Sequence, residues 1–157
     1  MELYKAEFLA RDLMEVHGLF EDYYDPWTFK FDNAKRRLGC CNYTRRTISI
    51  SKPLVLINDE ATVRDTILHE IAHALTPGAK HGPQWKTKCR EIGAKPERCA
   101  TDAEEVEAAW EGTCPECERV YKRHRLSKGI REKSQCHCIT GPDRYDLTKT
   151  LKWKKVR

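Results

Sequence analysis

Five consecutive residues, His69-Glu70-Ile71-Ala72-His73, carry the strongest chemical signal in this chain. On an α-helix, residues four apart lie one turn above each other, so both imidazoles can reach a single zinc ion. Glu70 stands between them, placed to act as general base on water at the metal. A zinc site that leaves a position open for water needs a third protein ligand. His81, eight residues beyond His73 and past the Pro77-Gly78 break, is the favoured candidate, because that break lets the chain turn back. Glu91 on the following helix is the rival. Zinc brings the pKa of its water to about 7. Glu70 then takes the proton and returns it to a leaving amine, so the predicted reaction is peptide-bond hydrolysis.

A second cluster is made of thiols. Cys114-Pro115-Glu116-Cys117 is a CxxC knuckle, and eighteen residues later comes Cys136-His137-Cys138. Two close pairs of cysteines fit a closed, structural zinc site with four thiolates, as in a zinc ribbon. The second pair is CxC rather than CxxC, which leaves His137 or His124 as substitutes for the fourth ligand. Two zinc ions are therefore expected, one catalytic and one structural.

The elements that must position these groups follow from periodicity and breakers. Residues 1–17 read as a helix through Ala6, Leu9, Leu13, Val16 and Phe20, stopped at Gly18. Strands are expected at Trp27–Phe31, Leu38–Tyr43 and Thr47–Ser51, with Thr44-Arg45-Arg46 as a hairpin tip and Pro53 ending a small antiparallel sheet. Asn58 or Asp59 caps a helix running to about Leu75. Val63, Ile67, Ile71 and Leu75 form its apolar stripe, roughly opposite the two histidines. A further helix runs from Pro83 to Ile92 with Gly93 as its stop, and Asp102–Glu111 reads as a last helix. Cys40, Cys41, Cys89, Cys99, Trp85 and Trp110 read as packing residues.

The chain has 157 residues, a net charge of +5 and 39% hydrophobic residues. This is an ordinary globular composition, and no apolar run approaches the roughly 18–20 residues a membrane span needs. The N-terminus is acidic and has no signal-peptide core, so an intracellular, monomeric protein with no membrane partner is expected, its cysteines reduced or metal-bound. Charge is unevenly spread. Residues 113–157 hold 13 Lys and Arg against 5 Asp and Glu, a net +8, which leaves −3 for residues 1–112. The division predicts two domains, 1–112 with the HExxH motif and 113–157 as a basic module. A basic module suggests a polyanion partner, most simply DNA. Arg119, Lys122, Arg123, Arg125, Lys128, Arg131 and Lys133 are its candidate phosphate contacts, with Arg45 and Arg46 at the hairpin tip.

These residues resemble the SprT-like metalloproteases, which include bacterial SprT proteins, the Spartan DNA–protein crosslink proteases and phage and viral relatives. The resemblance rests on His69-Glu70-Ile71-Ala72-His73-Ala74-Leu75 and on His81-Gly82-Pro83-Gln84-Trp85-Lys86. It extends to the preceding helix and strands and to the cysteine module, which is similar to the zinc ribbon after many SprT domains. The resemblance implies an α+β fold, a compact zincin-like domain of helices and a small antiparallel sheet followed by a zinc ribbon. It implies His69, His73 and His81 on zinc, Glu70 catalytic, and a protease acting with DNA on proteins attached to DNA. The chain looks closest to the short bacterial and phage forms. The reading from a different class is a DNA-binding zinc protein, a transcription or replication accessory factor with a structural or weakly active zinc site.

Overall fold

The computed structural model describes residues 1–97 and 103–157, with the Tyr145 side chain left aside. The expectation for Cys99 and for Asp102 lies outside the described residues. The chain divides into two compact units, Met1–Val106 and Glu107–Arg157. The boundary falls six residues before the expected one, because Trp110–Thr113 forms the central strand of the second unit's sheet.

In the first unit, α1 (Leu3–Val16) precedes three strands, β1 (Thr28–Asp32), β2 (Gly39–Asn42) and β3 (Thr47–Ser51). Three helices follow, α2 (Lys52–Ile57), α3 (Glu60–Leu75) and α4 (Pro83–Ile92). The fold is α+β. The sheet is mixed rather than antiparallel. Its order is β1-β3-β2, with β1 parallel to β3 and β2 antiparallel to it. The hairpin through Arg46 folds β3 back between its predecessors, so β3 lies in the middle and all five of its residues are buried. Its polar members are partnered, as buried groups must be. Ser49 Oγ donates to Asp32 Oδ2 at 3.0 Å and Thr47 Oγ1 to the Arg45 carbonyl at 2.9 Å.

The core gathers Ala6, Ala10, Leu13 and Met14 of α1, Ile48 and Ile50 of β3, and Val63, Ile67, Leu68 and Ile71 of α3. The buried face of α1 is rotated from the expected one: Ala10 and Met14 face inward and Val16 is exposed. Leu75, the last member of the expected α3 stripe, is also partly exposed. The short helix α2 went unread in the sequence, although Ser51 caps it by accepting from the Leu54 amide at 3.2 Å and Pro53 occupies its first turn.

The second unit holds β4 (Trp110–Thr113), β5 (Val120–Arg123), α5 (Lys128–Lys133), two 3₁₀ turns and β6 (Lys152–Lys155). The sheet order is β5-β4-β6, all antiparallel. The helix expected up to Glu111 is absent among the described residues: residues 103–108 are irregular and Trp110 and Glu111 are in β4. Asn58 holds the Glu104 backbone from both sides, Glu104 N donating to Oδ1 at 2.8 Å and Nδ2 donating to Glu104 O at 3.0 Å. That clamp and the strand pairing override an Ala/Glu preference worth only tenths of a kcal/mol per residue, on the order of 0.5. No helix among the described residues is long and apolar enough to cross a membrane.

Candidate metal centre

Helix α3 begins where Asp59 accepts from the Thr62 amide at 2.8 Å. It ends where Thr76 Oγ1 donates to the Ala72 carbonyl at 2.7 Å. The chain then turns through Gly78, at φ +80°, and Gly82 N donates to the Ala79 carbonyl at 2.9 Å. This turn is what returns His81 to the helix. His81 Nε2 lies 3.2 Å from His73 Nε2 and 3.4 Å from His69 Nε2. Tetrahedral zinc with bonds of about 2.0–2.1 Å requires ligand nitrogens roughly 3.3 Å apart. The three imidazoles therefore fit one zinc ion. Glu91, the rival third ligand, pairs instead with Lys88.

The three rings share one floor. Trp85 of α4 is fully buried, stacked on His73 with centroids 5.2 Å apart and edge-on to His69 and His81 at 4.7 Å each. Burial, followed by the neighbouring imidazoles, pushes His69 and His73 down to about 4. Both are neutral at pH 7 and offer lone pairs, the state a metal needs.

Glu70 is buried, 8% exposed, and burial pushes its carboxyl up to about 7. The Cys41 amide, donating to the carboxylate, and the nearby Arg37 charge pull the other way. A carboxyl poised near neutrality suits a proton carrier. A cleft of about 590 Å³ is lined by His69 and Glu70 of α3 together with Lys35–Gly39, Glu97, Glu104 and Glu105. Gly39 and the Cys41 amide, both touching Glu70, were missed in the sequence. Neither has a motif, because their role arises only when β2 is laid against α3.

In the second unit, Cys114, Cys117, Cys136 and Cys138 converge with their sulfurs all within 4.8 Å of one another. Cys114 Sγ lies 3.5 Å from Cys138 Sγ, and Cys117 Sγ 3.6 Å from Cys136 Sγ. Bonds of about 2.3 Å place tetrahedral sulfurs roughly 3.7 Å apart, so the four thiols fit zinc. The CxC pair supplies both remaining sulfurs, and neither His124 nor His137 joins the group. The Cys138 amide and the Tyr121 hydroxyl, 3.0 Å from Cys136 Sγ, push the Cys136 thiol down to about 6. Hydrogen bonds to Cys117 and Cys136 push the Cys138 thiol up. Without an ion, four clustered thiols cannot all ionise, and one holds its proton.

The basic candidates of this unit, Arg119, Lys122, Arg123, Arg125, Lys128, Arg131 and Lys133, are all exposed. Strand register sorts them. Lys122 and Lys154 flank Glu111 on one sheet face, while Arg123 and Lys155 flank Trp110 on the other. Arg131 lies over the Trp110 ring at 5.1 Å. Lys152 and Lys154 join the first face because the C-terminal segment forms β6 and pairs with β4. Arg45 is exposed. Arg46 is already engaged, 3.4 Å from both Asp22 and Asp25 and over the Trp27 ring.

Comparison with known proteins adds three findings. No curated protein sequence matches the chain significantly. The chain is similar to the metallopeptidase zymogen jannalysin of Methanocaldococcus jannaschii, at 16% identity and TM-score 0.47, covering 55% of this chain and 79% of that one. It is also similar to the zymogen abylysin of Pyrococcus abyssi, at 18% identity and TM-score 0.45, covering 55% and 78%. The SprT-like family matches residues 13–105, a span that contains β1 to α4, all three histidines and Glu70. By that match over more than half its length, the chain belongs to the SprT-like family.

Proposed function

We propose that this chain is a zinc metalloprotease that hydrolyses peptide bonds of proteins bound or crosslinked to DNA, with one catalytic and one structural zinc ion. Membership in the SprT-like family supports a zinc metalloprotease. The observation that carries the reading is the trio of imidazoles spaced for zinc beside a buried carboxyl held near neutrality.

His69, His73 and His81 would hold the catalytic ion through Nε2, and the four cysteines the structural one. Zinc, when bound, acts as a Lewis acid on a carbonyl and acidifies water. Glu70 accepts the proton of the attacking water on a carboxylate oxygen and delivers it to the departing amide nitrogen. Its burial raises its affinity for that proton, so it can both take and return it near neutral pH. Trp85 fixes the ring planes of the three histidines. Among the described residues β2 pairs with β3 alone, so its outer edge lies open to an extended substrate chain alongside Glu70.

The exposed lysines and arginines of the second unit support the DNA part of the reading, since each phosphate contact contributes to salt-dependent affinity. A cleavage assay on a protein crosslinked to DNA, with and without free DNA and at two salt concentrations, tests it. Cleavage that requires DNA and weakens with salt is expected. Equal cleavage of the free protein, indifferent to DNA and salt, would leave a protease with no DNA role. Salt-sensitive DNA binding without cleavage would instead favour the accessory-factor reading.

A further inference from the structure

We propose that Gly39 is a positioning residue for the general base, its missing side chain forming with the Thr66 methyl the seat that fixes the Glu70 carboxylate. The inference rests on the reading of Glu70 as that base. A Cβ placed on Gly39 would lie 2.6 Å from Glu70 Oε1, 2.8 Å from Glu70 Cγ and 2.9 Å from Thr66 Cγ2. All three are closer than carbon tolerates. The backbone gives no other reason for glycine: Gly39 is not among the residues at positive φ, so any L-residue could adopt its conformation. Only space excludes a side chain there.

The seat is held from several directions. Gly39 pairs with Ile50, a fully buried residue of the central strand, so β2 cannot retreat inward. Arg37 donates through Nη1 to the Gly39 carbonyl at 3.4 Å and pairs through Nη2 with Asp32 at 2.8 Å, which fastens the strand's start. Thr66 Oγ1 donates to the Thr62 carbonyl at 2.9 Å, which fixes its rotamer and aims its methyl at the same point. The Cys41 amide, two residues along β2, donates to the carboxylate itself. Strand backbone thus touches Glu70 at two places, one by contact and one by hydrogen bond. Displacing a reacting group by about 1 Å can cost on the order of a hundredfold in rate. A strand in direct contact with the carboxylate controls displacements of that size.

The test compares Gly39→Ala in the wild type and in a Glu70→Ala background, measuring zinc content, Tm and hydrolysis of a peptide substrate. In the wild type the substitution is expected to keep zinc, leave KM within about twofold, and lower both Tm and kcat, the latter by at least about tenfold. Adding Thr66→Ser, which removes the third contacting atom, recovers part of the kcat. In the Glu70→Ala background two of the three contacts are gone. There only the Thr66 methyl still opposes the added carbon, so the same substitution is expected to lower Tm by much less than in the wild type. A protein that folds as Gly39→Ala only when Glu70 is also removed supports the seat. Equal losses of Tm in the two backgrounds, failure to fold in both, or wild-type kcat for Gly39→Ala overturns it. Full activity of Glu70→Ala would overturn the base itself, an outcome separate from any result at Gly39.

Discussion

Glu70 and the histidines beside it are held in opposite states by the same burial. A carboxyl loses its charge when water is removed, so Glu70 rises to about 7; an imidazolium does too, so His69 and His73 fall to about 4. The stability consequences have opposite signs in metal-free protein. The two histidines, lowered from 6.5, stabilise the fold above about pH 6.5, and that contribution is lost as pH falls towards 4. Glu70, raised from 4.5, favours the fold below about pH 4.5, and that contribution is lost as pH rises through 7. We therefore expect Glu70→Gln, in the presence of chelator, to make stability climb more steeply between pH 4.5 and 7 than in the wild type. Urea denaturation at a series of pH values would show it; parallel curves would mean that Glu70 is not protonated in this window. The histidines and Glu70 were legible in the sequence because helical spacing alone brings them together. Gly39, Thr66 and the Cys41 amide were not, because contact between a strand and a helix 30 residues later follows no local pattern.

At the level of elements, structure follows the sequence pattern where periodicity and caps agree and departs from it where tertiary contacts decide. Helix α3 starts at its Asp59 cap and α4 between Pro83 and Gly93, as their sequences indicate. Asp59→Ala should therefore lower stability while leaving zinc affinity unchanged, since the cap lies more than two turns from His69. Urea denaturation and zinc titration check the two halves of that statement. The strand positions in the first unit were legible, but their order was not: alternation marks a strand without naming its neighbour. Residues 103–108 show the reverse case, an Ala/Glu-rich run drawn out of helix by the Asn58 clamp on Glu104. The segment Lys152–Lys155 has no apolar alternation beyond Trp153, and it becomes a strand through its pairing with β4.

The whole molecule combines a mildly acidic unit bearing the histidine site with a basic unit bearing the thiol site. Two zinc equivalents per chain are expected by elemental analysis. Cys138→Ser should reduce the count to one while the histidine site keeps its metal; retention of both would show that a fourth thiolate is dispensable. The charge of the second unit makes a separate prediction about DNA. Reversing Lys122 or Lys152 to glutamate should each lower DNA affinity and reduce the salt slope by about one. Replacing Arg46 should leave both unchanged, because Asp22 and Asp25 already engage its guanidinium. Fluorescence titration at several salt concentrations distinguishes these variants.

The central claim is that the histidine site is catalytic and that Glu70 moves the proton. The most direct measurement is the rate of peptide-bond hydrolysis by wild type and Glu70→Gln, each loaded with zinc and assayed for metal content in the same sample. The predicted result is equal zinc in both proteins and a loss of at least about a hundredfold in kcat for the variant. Equal zinc with equal rates would contradict the account and remove Glu70 from the reaction.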